Sequence, residues 1–81
     1  MKARVFVSLK TTVLDPQGQT VCSALRSLGH HSISDVRQGK VFDISLADGV
    51  HLEEVRKEIE TIAHDVLANP VIEDYRVEII D

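Results

Sequence analysis

Hydrophobic residues alternate with polar ones near both ends of the chain. The alternating positions are Ala3, Val5, Val7 and Leu9 in the first segment and Tyr75, Val77 and Ile79 in the last. A period of two is typical of a strand that buries one face, so each segment is predicted to be a β-strand. Phe6 and Ile80 are exceptions, because they fall on the otherwise polar faces of these strands.

A helix is predicted after the first strand. Asp15 is a residue type that caps helices, and Pro16 follows it at the first helical position, where proline is favoured. Hydrophobic residues then recur at helical spacing, at Val21, Ala24, Leu25 and Leu28. Gly29 stands where the C-terminus of a helix commonly takes a left-handed residue, so the helix is expected to end there.

A second and more regular helix is predicted in the C-terminal half. Its apolar stripe advances by three and four residues and consists of Leu52, Val55, Ile59, Ile62 and Val66. Asn69 and Pro70 end this helix, because proline cannot continue it and restricts the residue before it. Coiled coils also carry such a stripe, but a length of about two heptads favours a helix that lies on a sheet.

Two further strands are predicted between the helices, over residues 32–37 and 40–46, with a tight turn at Gln38 and Gly39. The resulting order, β-α-β-β-α-β, predicts an α+β fold of the ferredoxin-like type. In that fold a four-stranded antiparallel sheet carries both helices on one face. The length predicts a single domain over residues 1–81.

Composition and charge restrict the possible partners. Nine Lys and Arg stand against thirteen Asp and Glu, and the net charge of -4 argues against a nucleic-acid surface. We find no apolar run of ~20 residues for a membrane span and no signal-peptide pattern at the N-terminus. Cys22 is the single cysteine, so no internal disulfide is possible and a cytoplasmic location is expected. A domain this small is expected to gain support by associating with other chains.

The chain offers no convincing catalytic or metal-binding group. Cys22 lies among apolar helix positions, and the histidines lack metal-ligand spacing; they are His30, His31, His51 and His64. Residues 10–14 contain no glycine that could cradle a phosphate, so an acylphosphatase-like site is not expected. Asp43 and Glu78 could form a carboxylate pair, but ordinary surface positions explain them equally well. We therefore predict no catalytic, metal-binding or cofactor-binding residue on this chain.

The sheet face turned away from the helices is expected to be partly apolar. Phe6, Val41 and Ile80 fall on it, among charged residues such as Arg4 and Glu78. One aromatic ring does not suit the base stacking of an RNA-binding domain. A mixed surface suits a protein–protein interface better, so these three hydrophobic residues are our candidates for self-association.

Four short segments carry a resemblance to a known family. They are residues 7–10 (VSLK), 13–18 (VLDPQG), 36–40 (VRQGK) and 67–75 (LANPVIEDY). With the length and the order of elements, the chain resembles over essentially its whole length the PurS family, the small subunit of phosphoribosylformylglycinamidine synthase. His30 and His31 depart from the aromatic or small residues expected after Gly29, but they lie outside these segments.

The resemblance implies a non-catalytic assembly subunit of an enzyme complex in purine biosynthesis. Such subunits form dimers and bridge two partners, a PurQ-like glutaminase subunit and a PurL-like synthetase subunit. The first releases ammonia from glutamine, and the second uses ATP and that ammonia to aminate formylglycinamide ribonucleotide. The small subunit is expected to help ammonia pass between them. It is expected to bind no cofactor itself, since ATP, Mg and glutamine are used by the partners.

The matching segments supply the candidates for partner contact, which are Asp15, Pro16, Gln17, Gly18, Asn69, Pro70, Glu73, Asp74 and Tyr75. Structural roles explain some of them equally well: Asp15 as a helix cap, Pro70 as a helix end and Tyr75 as a core residue. A second hypothesis also stays open, namely a free-standing dimeric regulatory domain of ferredoxin-like fold that binds a small metabolite.

Overall fold

The computed structural model of the chain describes residues 1–80, so Asp81, the last residue of the predicted domain, lies outside the described residues. The elements in order are β1 (Lys2–Leu9), α1 (Pro16–Ser27), β2 (Gly39–Ser45), α2 (Leu52–Ile62), a π-helical turn (Ala63–Leu67) and β3 (Glu73–Ile80). The α+β class is confirmed, as are both helices and the first and last strands.

β1 is the central strand of an antiparallel sheet with the strand order β2-β1-β3. Val5 of β1 lies opposite Phe42 of β2 on one side and opposite Val77 of β3 on the other. The alternation along β1 decides which face is buried, because Ala3, Val5 and Val7 are buried while the residues between them point to the other face.

α2 lies on the buried face of this sheet. Val55 and Ile59, one turn apart, are buried together with Ala63 against the β1 side chains. Partly buried hydrophobic residues surround this centre: Phe42, Ile44, Leu46, Val50, Ile62, Leu67, Tyr75, Val77 and Ile79. The predicted stripe is thus confirmed at its centre, as is a helix lying on a sheet.

The stripe fails at both ends, because Leu52 is 44% exposed and Val66 is 74% exposed. The failure at Val66 has a local cause. The helix changes to a π-helical turn at Ala63, and the amide of Ala68 donates to the Ala63 carbonyl, five residues back, at 2.9 Å. The wider turn rotates the side chains that follow. Val66 therefore faces solvent, and Leu67 takes the half-buried position.

The fourth strand predicted over residues 32–37 is not confirmed. Within residues 1–80 this segment has no strand partner, and β2 begins just after it at Gly39, opposite Ser8 of β1. Gln38 and Gly39 do not form the predicted hairpin turn, because Gln38 is tied to the beginning of α1 and Gly39 is already part of β2. The sheet has three strands in the described part of the chain.

The prediction that both helices cover the sheet is not confirmed for α1. Gly18 is the only buried residue of α1, and Leu28, just beyond it, is 76% exposed. Among residues 1–80, α1 has no extended packing contact with another element. The Cα atoms extend over 51 × 27 × 14 Å, whereas a strand of 8 residues spans only about 27 Å. Residues 16–28, which we call the α1 arm, therefore project beyond the sheet.

Candidate partner-binding surfaces

Asp15 joins the beginning of the α1 arm to the chain in front of β2. It is only 4% exposed. Its Oδ1 accepts a hydrogen bond from the amide of Gly18 at 3.0 Å, and its Oδ2 accepts one from the amide of Gln38 at 2.6 Å. The first bond confirms the predicted helix cap. Both hydrogen bonds stabilise the charged carboxylate and so lower the pKa of Asp15; the bond from the Gln38 amide has the larger effect and the bond from the Gly18 amide the next largest.

Arg37 reinforces the same junction from the neighbouring position. Its Nη2 donates to the carbonyl of Lys10 at 3.0 Å and to the carbonyl of Val13 at 2.8 Å. A guanidinium that bridges two main-chain carbonyls holds the connection between β1 and α1 in one shape. The amide of Val13 also donates to the Lys10 carbonyl at 2.9 Å, which closes that connection as a tight turn.

Gly18 allows the junction to close. A Cβ at this position would lie 2.3 Å from the carbonyl oxygen of Val36, closer than side-chain carbons approach in real proteins. Glycine is therefore required by the close approach of two backbone segments. We call the four residues that make this junction the latch: Asp15, Gly18, Arg37 and Gln38.

The part played by Arg37 and Gln38 in the latch was not predicted, because Gln38 and Gly39 were interpreted as a hairpin turn. Asp15 bonds to Gln38 across 23 positions in the sequence, and no periodic pattern reports such a contact. The only sequence signal was a capping aspartate followed three residues later by Gly18.

Two surface hollows adjoin the latch. The first has a volume of about 230 Å³ and is lined by Val7, Ser8, Leu9, Asp15, Gln17, Gln38, Gly39, Lys40 and Glu73. The second, of about 370 Å³, is lined by Pro16, Gln17, Thr20, Val21 and Gln38. Of the first group of predicted contact residues, Pro16 and Gln17 are exposed at these hollows, whereas Asp15 and Gly18 are buried in the latch.

The second group of predicted contact residues begins with the turn that precedes β3. The amide of Asn69 donates to Oε1 of Glu73 at 2.7 Å, and Oδ1 of Asn69 accepts from the amide of Val71 at 3.1 Å. Pro70 and Val71 are exposed on this turn. Asn69 and Glu73 therefore set its shape, while Pro70 and Val71 form the surface that it presents.

Asp74 and Tyr75 lie at the beginning of β3 and point to opposite faces. Oδ1 of Asp74 accepts a hydrogen bond from Nζ of Lys10 at 2.8 Å, an exposed ion pair of small energetic weight. Tyr75 is half-buried beside the core, with its ring edge-on to His64 at a centroid distance of 6.4 Å. Tyr75 thus has the structural role that the sequence analysis considered for it.

The sheet face opposite α2, which we call the open face, carries the three self-association candidates. No described element covers it. The guanidinium carbon of Arg76 lies 4.2 Å from the centroid of the Phe6 ring, a cation–π contact. Val41 is exposed and Ile80 is half-buried. The open face is therefore mixed, with an aromatic ring partly covered by a cation.

Arg4 separates the two carboxylates that the sequence analysis considered as a pair. It lies opposite Asp43 of β2 and opposite Glu78 of β3. Its Nε donates to Oδ1 of Asp43 at 2.8 Å, and this hydrogen bond lowers the pKa of the Asp43 carboxyl. The two carboxylates flank a cation, an arrangement unlike an acid–base pair.

The remaining polar side chains form no evident chemical centre. Among residues 1–80, no group of three or more His, Cys, Asp or Glu side chains is placed to hold a metal ion. No helix in that range is long and apolar enough to cross a membrane. Cys22 is half-buried on α1, and Nδ1 of His64 lies 2.8 Å from Oδ1 of its neighbour Asp65.

Comparison with known proteins identifies the family of the chain. The model of the family described as PurS, phosphoribosylformylglycinamidine (FGAM) synthase, matches residues 2–81. The chain belongs to the PurS family. The resemblance carried by the four short segments is thereby confirmed, and it extends over the described elements from β1 to β3.

Curated relatives of this PurS-family chain carry the same subunit name. It is 47% identical over 76 residues to phosphoribosylformylglycinamidine synthase subunit PurS of Mycobacterium leprae, covering 94% of this chain and 91% of that protein. It is 40% identical over 78 residues to the subunit of the same name from Methanocaldococcus jannaschii, covering 96% and 93% of the two chains.

Solved structures agree with this assignment. PurS of Bacillus subtilis matches with a TM-score of 0.79 and 42% identity over 99% of this chain and 98% of that one. A chain in the structure of PurLQS from Thermotoga maritima matches with a TM-score of 0.84 and 26% identity over 95% and 93% of the two chains. This PurS-family chain is therefore similar in fold to a protein solved as part of PurLQS.

Proposed function

We propose that the chain is the small, non-catalytic subunit of a phosphoribosylformylglycinamidine synthase. It assembles there with a PurL-like synthetase subunit and a PurQ-like glutaminase subunit. The observation that carries this proposal is the PurS-family match over residues 2–81. The similarity to a chain in the Thermotoga maritima PurLQS structure supports the assembly role.

In this proposal the partners perform the chemistry. The synthetase uses ATP and Mg, the glutaminase uses glutamine, and this chain binds no cofactor. Bridging the two enzymes keeps the ammonia path short and shielded, which matters because the ammonium ion that forms in water is not a nucleophile. We place the complex in the cytoplasm, where a free thiol such as that of Cys22 stays reduced.

A second copy of the chain is the third proposed partner. Val21 and Leu28 of the α1 arm and Leu14 beside it are exposed hydrophobic residues. β2 is an edge strand, and such an edge is a template for pairing with another chain. We propose that two copies associate by exchanging arms. The segment over residues 32–37 of one copy then adds to the β2 edge of the other, so that the predicted four-stranded sheet forms in the dimer.

The enzyme subunits are proposed to contact the exposed members of the two predicted groups. Pro16 and Gln17 lie at the hollows beside the latch. Pro70 of the second group is exposed on the turn before β3, beside the exposed Val71. Asp15 and Gly18 contribute indirectly, since they hold the backbone that presents Pro16 and Gln17.

Reconstitution with purified synthetase and glutaminase tests the function. With this chain present, we expect glutamine-dependent amination of formylglycinamide ribonucleotide and co-elution of all three proteins. Amination driven by added ammonium salt is the control, because it bypasses the glutaminase and reports the synthetase alone. If the chain co-elutes with neither enzyme and leaves glutamine-dependent activity unchanged, the proposal is wrong. The alternative of a free-standing metabolite-binding domain is not favoured, because the whole chain matches a synthase-subunit family.

A further inference from the structure

The direction of the α1 arm needs a cause other than packing. No described element packs along the arm, and its hydrophobic residues Val21 and Leu28 are exposed. A helix attached only through flexible connections would sample many directions relative to the sheet. The contacts that join the arm to the sheet are the hydrogen bonds of the latch.

The latch constrains both connections of the arm at one place. Asp15 holds the first residues of the helix through Gly18 and the returning chain through Gln38. Arg37, in the returning chain, holds the outgoing connection through the carbonyls of Lys10 and Val13. Each connection is thus bonded to the other, and Gln38 is followed directly by β2. The latch therefore fixes the position of the beginning of the arm relative to β1 and β2.

The bonds of Asp15 suit this task. Hydrogen bonds from backbone amides to a carboxylate are among the stronger ones in proteins, and Asp15 is shielded from water. A docking segment already held in its bound direction loses less conformational entropy when a partner binds. A device of this kind strengthens association without itself touching the partner.

We propose that Asp15 and Arg37 are positioning residues that aim the α1 arm for docking on a second copy of the chain. This inference rests on the proposed self-association. The helix cap and the aim are separable functions of Asp15, because one acceptor oxygen suffices for the bond to Gly18 whereas the bond to Gln38 needs the second. Serine at position 15 keeps a capping oxygen and loses the second acceptor.

The test compares Asp15→Ser with Asp48→Ser, the same change at an exposed turn position outside the latch. For Asp15→Ser we expect unchanged helical content by circular dichroism and a dissociation constant of the self-assembly raised on the order of tenfold in sedimentation equilibrium. Arg37→Gln should act similarly. Because both changes release the same arm, the double variant should be little weaker than either single one.

The direction of the arm can be measured independently of affinity. In a Cys22→Ser background, spin labels at Ser27→Cys on the arm and Glu54→Cys on α2 report the distance between the end of the arm and the helix on the sheet. The labelled chain is diluted in unlabelled chain so that only distances within one copy are measured. Asp15→Ser should broaden this distance distribution, and Asp48→Ser should leave it narrow. An Asp15→Ser protein with a narrow distribution and unchanged dissociation constant would overturn the inference. A wild-type protein that stays monomeric would instead overturn the self-association.

Discussion

Replacing Gly18 with alanine should destabilise the protein, although alanine is the better helix former. In an ordinary helix interior the change gains up to about 1 kcal/mol. Here the new Cβ would lie 2.3 Å from the Val36 carbonyl oxygen and 2.6 Å from Oδ2 of Asp15. Non-bonded carbon and oxygen atoms normally stay about 3.3 Å apart, so the two backbone segments must separate by roughly 1 Å.

A separation of this size would break a hydrogen bond of the latch. The bond from the Gln38 amide to Asp15 is 2.6 Å long, and a hydrogen bond lengthened by about 1 Å is effectively lost. Overpacking typically costs about 1–3 kcal/mol. After subtraction of the gain in helix propensity, we expect the free energy of unfolding of Gly18→Ala to fall by about 1 kcal/mol. For a domain of this size the melting temperature should fall by roughly 4–8 °C.

Urea unfolding followed by far-ultraviolet circular dichroism measures this difference. Ser23→Ala, exposed on the same helix, is the matched control, and it should be as stable as the wild type or slightly more stable. Hydrogen exchange of the Gln38 amide reports the latch directly and should become faster in Gly18→Ala. A Gly18→Ala protein with raised stability and a normally protected Gln38 amide would refute the reasoning about the close approach.

Three further changes test the core, the latch and the open face. Ile59→Ala removes a side chain that is 2% exposed, and urea unfolding should show a loss of about 2–5 kcal/mol, whereas Val66→Ala should change little. Because the pKa of Asp15 is lowered by folding, its contribution to stability is present above pH ~4 and is lost as the pH falls toward the lowered pKa. The stability difference between wild type and Asp15→Asn should therefore shrink in acid unfolding curves, and a constant difference would contradict this role. Phe6→Asp should weaken self-association in sedimentation experiments at unchanged helical content. An unchanged oligomer would show that the open face lies outside the interface.

One-sided burial makes hydrophobic residues recur at a regular spacing in the sequence. For this reason β1, β3 and the middle of α2 could be predicted. Val5 and Val77 lie opposite each other on the buried face, and Ile59 packs above it, as their spacing implied. The position of Val66 was not predictable, because the π-helical turn that rotates it comes from a main-chain bond at Ala63 that side-chain types do not encode.

The packing of the α1 arm and the structure of the segment over residues 32–37 were predicted wrongly for a different reason. Their hydrophobic residues have the spacing of packed elements, but within residues 1–80 they have no surface to pack on. A pattern reports that a residue is buried somewhere and does not say in which molecule. The latch was half predictable: the cap at Asp15 follows from local sequence, whereas its bond to Gln38 joins distant positions.

The strand order has a consequence for how the protein is made. β1 occupies the middle of the sheet, and its register with β3 pairs Lys2 with Ile80. A ribosome releases β1 long before β3, so the central strand waits with one side unpaired until nearly the whole chain has been synthesised. Pairing of such distant segments is slow because the intervening loop must close first. We therefore expect that chains arrested before β3 cannot fold and that nascent chains need protection from aggregation until the sheet closes.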